Sequence, residues 1–74
     1  MLEEQYRKQL KPVRGKYWMF ICYKLRGELV YHIHCDDWRK FIYSDGKFKT
    51  SGKASSPLPQ AVQKQFLNEI QGGN

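Results

Sequence analysis

The sequence lacks most of what would assign it to a class at sight. It has two cysteines, Cys22 and Cys35, among 74 residues, too few for the disulfide framework of a small secreted scaffold. No apolar run approaches the ~20 residues of a membrane-spanning helix, and the opening MLEEQYRKQL has no apolar h-region, so no membrane association and a cytoplasmic location with reduced thiols are expected. There is no CxxC or HxxxH spacing, nucleophile elbow, phosphate loop or paired-carboxylate arrangement, so no catalytic residue is assigned and the chain reads as non-enzymatic, without a cofactor. Acids are missing where bases are dense. No Asp or Glu lies between Arg7 and Arg26, against seven Lys and Arg, and only Asp45 lies between Trp38 and Lys53, against five.

That asymmetry underlies the formal charge of +6 and a pI near 9.5. It points to a polyanionic partner, DNA or RNA, or to an acidic protein. At this length the chain is expected to be a single small domain, residues 1–74, burying only about 60% of the surface its unfolded form exposes. Homodimerisation would be one remedy for so small a core, and the sequence leaves it open.

The organising stretch is residues 17–35, YWMFICYKLRGELVYHIHC, two runs of aromatic and β-branched residues around Arg26 and Gly27. It reads as a β-hairpin with Leu25 facing Glu28, Cys22 facing Tyr31, Phe20 facing Ile33 and Trp18 facing Cys35, because antiparallel partners keep a constant index sum. One face then carries Trp18, Phe20, Cys22, Leu29, Tyr31, Ile33 and Cys35 and is expected to be core. The other carries Tyr17, Met19, Ile21, Tyr23, Val30, His32 and His34, and is either covered by a terminal helix or used for contact. In RKFIYSDGKFKT, Asp45 and Gly46 predict a second hairpin pairing Tyr43 with Phe48, Ile42 with Lys49 and Phe41 with Thr50, apolar inward and lysine-rich outward.

Two helices are expected to flank these hairpins. Leu2, Tyr6 and Leu10 recur at i, i+4, i+8, with Glu3 and Glu4 at the positive end, Arg7, Lys8 and Lys11 at the negative end, and Pro12 as terminator. Ser56 is a candidate N-cap, with Pro57 at the first helical position and Pro59 in the first turn. From there Leu58, Val62, Phe66 and Ile70, with Ala61 and Leu67 beside them, make an apolar stripe that Gly72 and Gly73 end. The expected architecture is α+β: a four-stranded antiparallel meander of two hairpins, with a short N-terminal helix and a C-terminal helix packed on one face, bringing the rings of Trp18 and Phe66 together.

Aromatic residues make up 15% of the chain, more than a core this small consumes. Tyr6, Tyr17, Tyr23 and Trp38 are left over, among lysines. Exposed rings interleaved with cations suit single-stranded nucleic acid, whose bases stack while lysines hold phosphates. The expected nucleic-acid-binding residues are Lys16, Tyr17, Tyr23, Lys24, Lys40, Lys47, Lys49 and Lys53. The alternative is a small interaction factor, an inhibitor or adaptor of the kind a mobile element encodes, docking on an acidic protein. His32, His34 and Asp36 share one side of a strand. Their ~7 Å spacing and the missing fourth ligand favour two half-buried histidines over a metal site.

Short stretches resemble known nucleic-acid binders. GKASSPLPQAVQKQFLNEI after a DG turn resembles the end of positive-cofactor-four-type coactivators. FIYSDGKFKTSGK resembles the tail of archaeal seven-kilodalton chromatin proteins, and DGKFKTSGKASS resembles part of double-stranded RNA-binding domains. Each covers less than half the chain, and no functional residue is carried over from them.

Overall fold

The computed structural model of the chain describes residues 2–36, 40–51 and 57–72. In chain order they form β1 (Glu3–Gln9), β2 (Trp18–Leu25), β3 (Glu28–Cys35), β4 (Lys40–Ser44), β5 (Lys47–Ser51) and α1 (Gln60–Ile70). The strands make one five-stranded antiparallel sheet in the order β1-β2-β3-β4-β5. Each strand therefore lies beside its sequence neighbour. Both hairpins take the register their turn residues dictate, from Trp18↔Cys35 to Leu25↔Glu28 and from Phe41↔Thr50 to Ser44↔Lys47. Arg26–Gly27 and Asp45–Gly46 all have positive φ (51°, 84°, 58° and 75°), the conformation in which a two-residue turn matches the twist of its strands.

The expected N-terminal helix is instead a fifth strand. Arg14 and Gly15, at φ 52° and 75°, form a third turn of the same kind, closed by hydrogen bonds in both directions between Val13 and Lys16. This turn folds β1 back along β2, satisfying a sheet edge that a two-turn helix would have left open. A bulge between Glu4 and Tyr6 shifts the register. It places Glu4 and Arg7 on the same face, where Arg7 Nη2 and Nε bond the Glu4 carboxylate at 2.7 and 3.0 Å. On a helix, i, i+4 spacing would instead have paired Glu3 with Arg7 and Glu4 with Lys8.

α1 covers one face of the sheet. It begins later than the sequence suggests, because proline disfavours the helical region for the residue before it. Pro59 thus holds Leu58 out of the helix and serves as the N-cap, its carbonyl accepting from Val62 and Gln63 N–H. The proposed cap Ser56 lies outside the described residues. Leu58, Val62 and Phe66 are buried, while Leu67 and Ile70 are half-buried and Ala61 is exposed. Beneath them lie Trp18, Phe20, Cys22, Tyr31, Ile33, Cys35 and Phe41. Leu29, expected in this core, is 50% exposed, one row beyond the helix-covered rows and paired with Lys24 at the turn end of the hairpin.

Phe66 meets the rings of Phe20, Tyr31, Tyr43 and Phe48, whereas Trp18 packs on Phe41 at 6.1 Å; the expected contact between Trp18 and Phe66 gives way to these. The helix is held at its edge by polar contacts to β1 and the segment after it. Lys8 Nζ bonds Glu69, and the Gln65 side chain accepts from Lys11 N–H at 2.9 Å. Among the described residues no helix is long and apolar enough to cross a membrane.

Candidate nucleic-acid interface

With α1 on one side, no element among the described residues covers the other face of the sheet, where Ile21 is buried and its neighbours Met19, Val30, His32 and Ile42 are half-buried. Its composition follows from the register, since cross-strand partners share a face. One row runs across all five strands as Arg7–Ile21–His32–Ile42–Lys49, and the next as Gln9–Met19–His34–Lys40. A third contains Glu4, Tyr23 and Val30, with Ser44 and Lys47 at the matching positions of β4 and β5. The face is therefore apolar along its middle, at Met19, Ile21, Val30 and Ile42, and cationic at both edges, at Arg7 on β1 and Lys47 and Lys49 on β5. At ~4.8 Å per strand, four spacings set Arg7 and Lys49 roughly 19 Å apart.

The acids sharing this face lie at its margins. Glu4 is tied to Arg7, Glu28 adjoins the Arg26–Gly27 turn, and Asp36 follows β3. Lys40, Lys47 and Lys49 have no carboxylate partner among the described residues.

Tyr23 and His32 lie with ring centroids 4.7 Å apart. Burial pushes the His32 and His34 imidazoles below the usual histidine value, and the Lys40 ammonium adds to this in both, with His34 acting on His32 and Arg7 on His34; a backbone hydrogen bond at Cys35 partly opposes it for His34. Both rings are accordingly neutral at pH 7, flat polar surfaces rather than charges. Among the described residues no group of three or more His, Cys, Asp or Glu is placed to hold a metal ion.

No protein-family model, curated protein or solved structure matches this chain. The face must therefore be read from its own chemistry, and the short resemblances noted above add nothing to it.

Of the residues expected at a nucleic-acid site, the fold brings Tyr23, Lys40, Lys47 and Lys49 together on the uncovered face. Lys16 closes the Arg14–Gly15 turn, and Tyr17, beside it, is 58% exposed at the rim of a cleft. Lys24 stands apart from them. It pairs with Glu3 and Leu29, in phase with Trp18, Phe20 and Cys22, and so belongs to the helix-side face. Lys53 lies outside the described residues, as does Trp38. The helical spacing of Leu2, Tyr6 and Leu10 hides Arg7's place on this face, and the mixed composition of the first hairpin's second face hides that of Met19, His32 and His34. The Arg14–Gly15 dipeptide, identical to the Arg26–Gly27 pair, is the signal that could have found Arg7.

Proposed function

We propose that the protein is a non-enzymatic nucleic-acid-binding module of the cytoplasm, with the uncovered sheet face as its contact surface. The observation that carries this reading is the row arrangement: Lys40, Lys47 and Lys49, which have no carboxylate partner among the described residues, and Arg7 on the far edge frame a strip of apolar and aromatic side chains. Cations neutralise phosphates, and a flat apolar strip receives bases and sugars, a division of labour suited to a polyanion that also has hydrophobic faces.

Fluorescence anisotropy of a labelled oligonucleotide across a salt series tests it. Each phosphate neutralised contributes about 0.7–0.9 to the slope of log affinity against log salt, so engagement of these lysines and Arg7 gives a slope of roughly −2 to −4. Lys49→Ala should flatten it by just under one unit. Absence of binding at about 50 mM salt, or a flat salt response, sinks the reading. An acidic protein docking on the same face would use the same lysines, but its capture from lysate would survive nuclease treatment.

A further inference from the structure

At one end of the sheet β1 and β3 finish and β2 begins. A cleft of about 540 Å³ opens there, within the size range of small-ligand pockets. Arg7, Gln9, Tyr17, Met19, His34 and Asp36 border it, together with Lys8, Trp18 and Cys35, which are in phase with the helix-side face. Gln9, Met19 and His34 are consecutive members of one cross-strand row, so Met19 lies between two hydrogen-bonding side chains.

The position of Tyr17 has a local cause. Leu10 N–H bonds the Trp18 carbonyl and Val13 pairs with Lys16, so Lys11 and Pro12 together lie opposite Tyr17 alone. This is a second bulge, a device that re-aims a side chain near a functional site, and proline is tolerated there because an edge bulge needs no N–H. The result is a large aromatic ring, 58% exposed, on the border of the cleft. A second hollow of about 390 Å³ adjoins the first, shares His34 and Asp36 with it, and is bordered by Lys40.

We infer that this cleft takes one unstacked base of a single-stranded nucleic acid, stacked on Tyr17 and seated over Met19, with the flanking phosphates on Arg7 and Lys40. The inference rests on the nucleic-acid reading and makes it specific. A base paired in a duplex has both faces stacked and cannot enter, so the cleft selects single strands, whereas lysines on a flat sheet alone would not. Asp36, the one carboxylate on the cleft among the described residues, repels phosphate and accepts hydrogen bonds from an amino group. It therefore sets which way round the nucleotide lies, base edge inward and backbone outward.

The experiment is a competition assay on the full chain. A fluorescein-labelled single strand of about 12 nucleotides is displaced by the same strand unlabelled and by its duplex, with wild type, Tyr17→Ala, Tyr17→Phe and Lys49→Ala compared. The inference expects the single strand to compete better than the duplex against wild type. Stacking on one ring corresponds to about 5- to 150-fold in affinity, so Tyr17→Ala should weaken single-strand binding by that factor, with duplex binding changed less than about twofold and the melt unaltered. Tyr17→Phe should restore it, and Lys49→Ala should weaken both forms alike. Equal competition by single strand and duplex, or equal weakening of both by Tyr17→Ala, overturns the cleft assignment and leaves the nucleic-acid reading standing. No binding by either form overturns both.

Discussion

Phe66→Ala removes the group on which the helix–sheet packing converges. Phe66 is 0% exposed, and four rings close around it at centroid distances of 5.1 Å (Phe20), 5.2 Å (Tyr31), 5.1 Å (Tyr43) and 5.8 Å (Phe48), all edge-to-face. Those rings come from β2, β3, β4 and β5, so the space left behind is walled by side chains whose backbones are fixed in one sheet, and it cannot easily collapse. A buried Phe→Ala change costs about 3–5 kcal/mol, and a site that cannot relax belongs at the upper end.

Small domains have stabilities near the low end of the usual ~5–15 kcal/mol, so the variant should be close to unfolded at 37 °C, with Tm lowered by about 12–40 °C. Lys49→Ala, on the uncovered face, should change stability by less than about 0.5 kcal/mol while weakening nucleic-acid binding. Thermal melts followed by far-ultraviolet circular dichroism, with anisotropy on the same samples, read both effects. If Phe66→Ala melts within a few degrees of wild type, the helix is not docked through this ring, and the division into a covered and an uncovered face falls with it.

Two further outcomes follow from the geometry. His32 and His34 have folded values below the ordinary 6.5, so above that pH both states are neutral and stability is flat. As pH falls through 6.5 the unfolded chain takes up protons first and stability drops, levelling once the folded imidazoles also titrate. Arg7 and Lys40 face these rings and oppose their charging. Urea melts from pH 7.5 to 5.5 should show this loss and His32→Gln with His34→Gln should remove it, whereas a pH-independent wild type refutes it. Gly15→Val forces a β-branched residue to φ 75°, at a cost of about 1–2 kcal/mol. Hydrogen exchange should show the amides of β1 opening ahead of the rest of the sheet, and unchanged protection there would mean the turn does not hold the strand.

The two central hairpins were legible because Arg26–Gly27 and Asp45–Gly46 each sit between arms of alternating polarity, and a two-residue turn then fixes every pair. Arg14–Gly15 is chemically the same turn, but its arms conceal it. The bulge at Lys11 and Pro12 lies just before it, and the bulge near Gln5 breaks the alternation of β1 midway. What remains visible is Leu2, Tyr6 and Leu10, a spacing that suits a helix face, with charges that suit a helix dipole. Local preference lost to the sheet edge. Two helical turns are marginal in water, whereas a strand beside β2 gains a ladder of backbone hydrogen bonds and the Lys8–Glu69 pair across to α1. The helix start was misjudged on a smaller scale, where proline's effect on the residue before it outweighed its tolerance in a first turn.

The change of one element from helix to strand carries the functional argument. A helix at residues 2–10 would have been available to cover Tyr23, Ile21 and His32, and the mixed face of the first hairpin would then have been a second core. As β1, the same residues widen the sheet without covering it and add Arg7 to its edge. The uncovered face is thereby left with Met19, Ile21, Val30 and Ile42 in its middle. A face that only had to meet water would alternate polar residues outward throughout, and these four positions do not. Ordinary solvation does not call for that apolar strip, and the lysines beside it give the surface a sign. On the proposed reading, the two together suit a ligand that is anionic along one edge and flat and apolar along the other, as a strand with its bases exposed is.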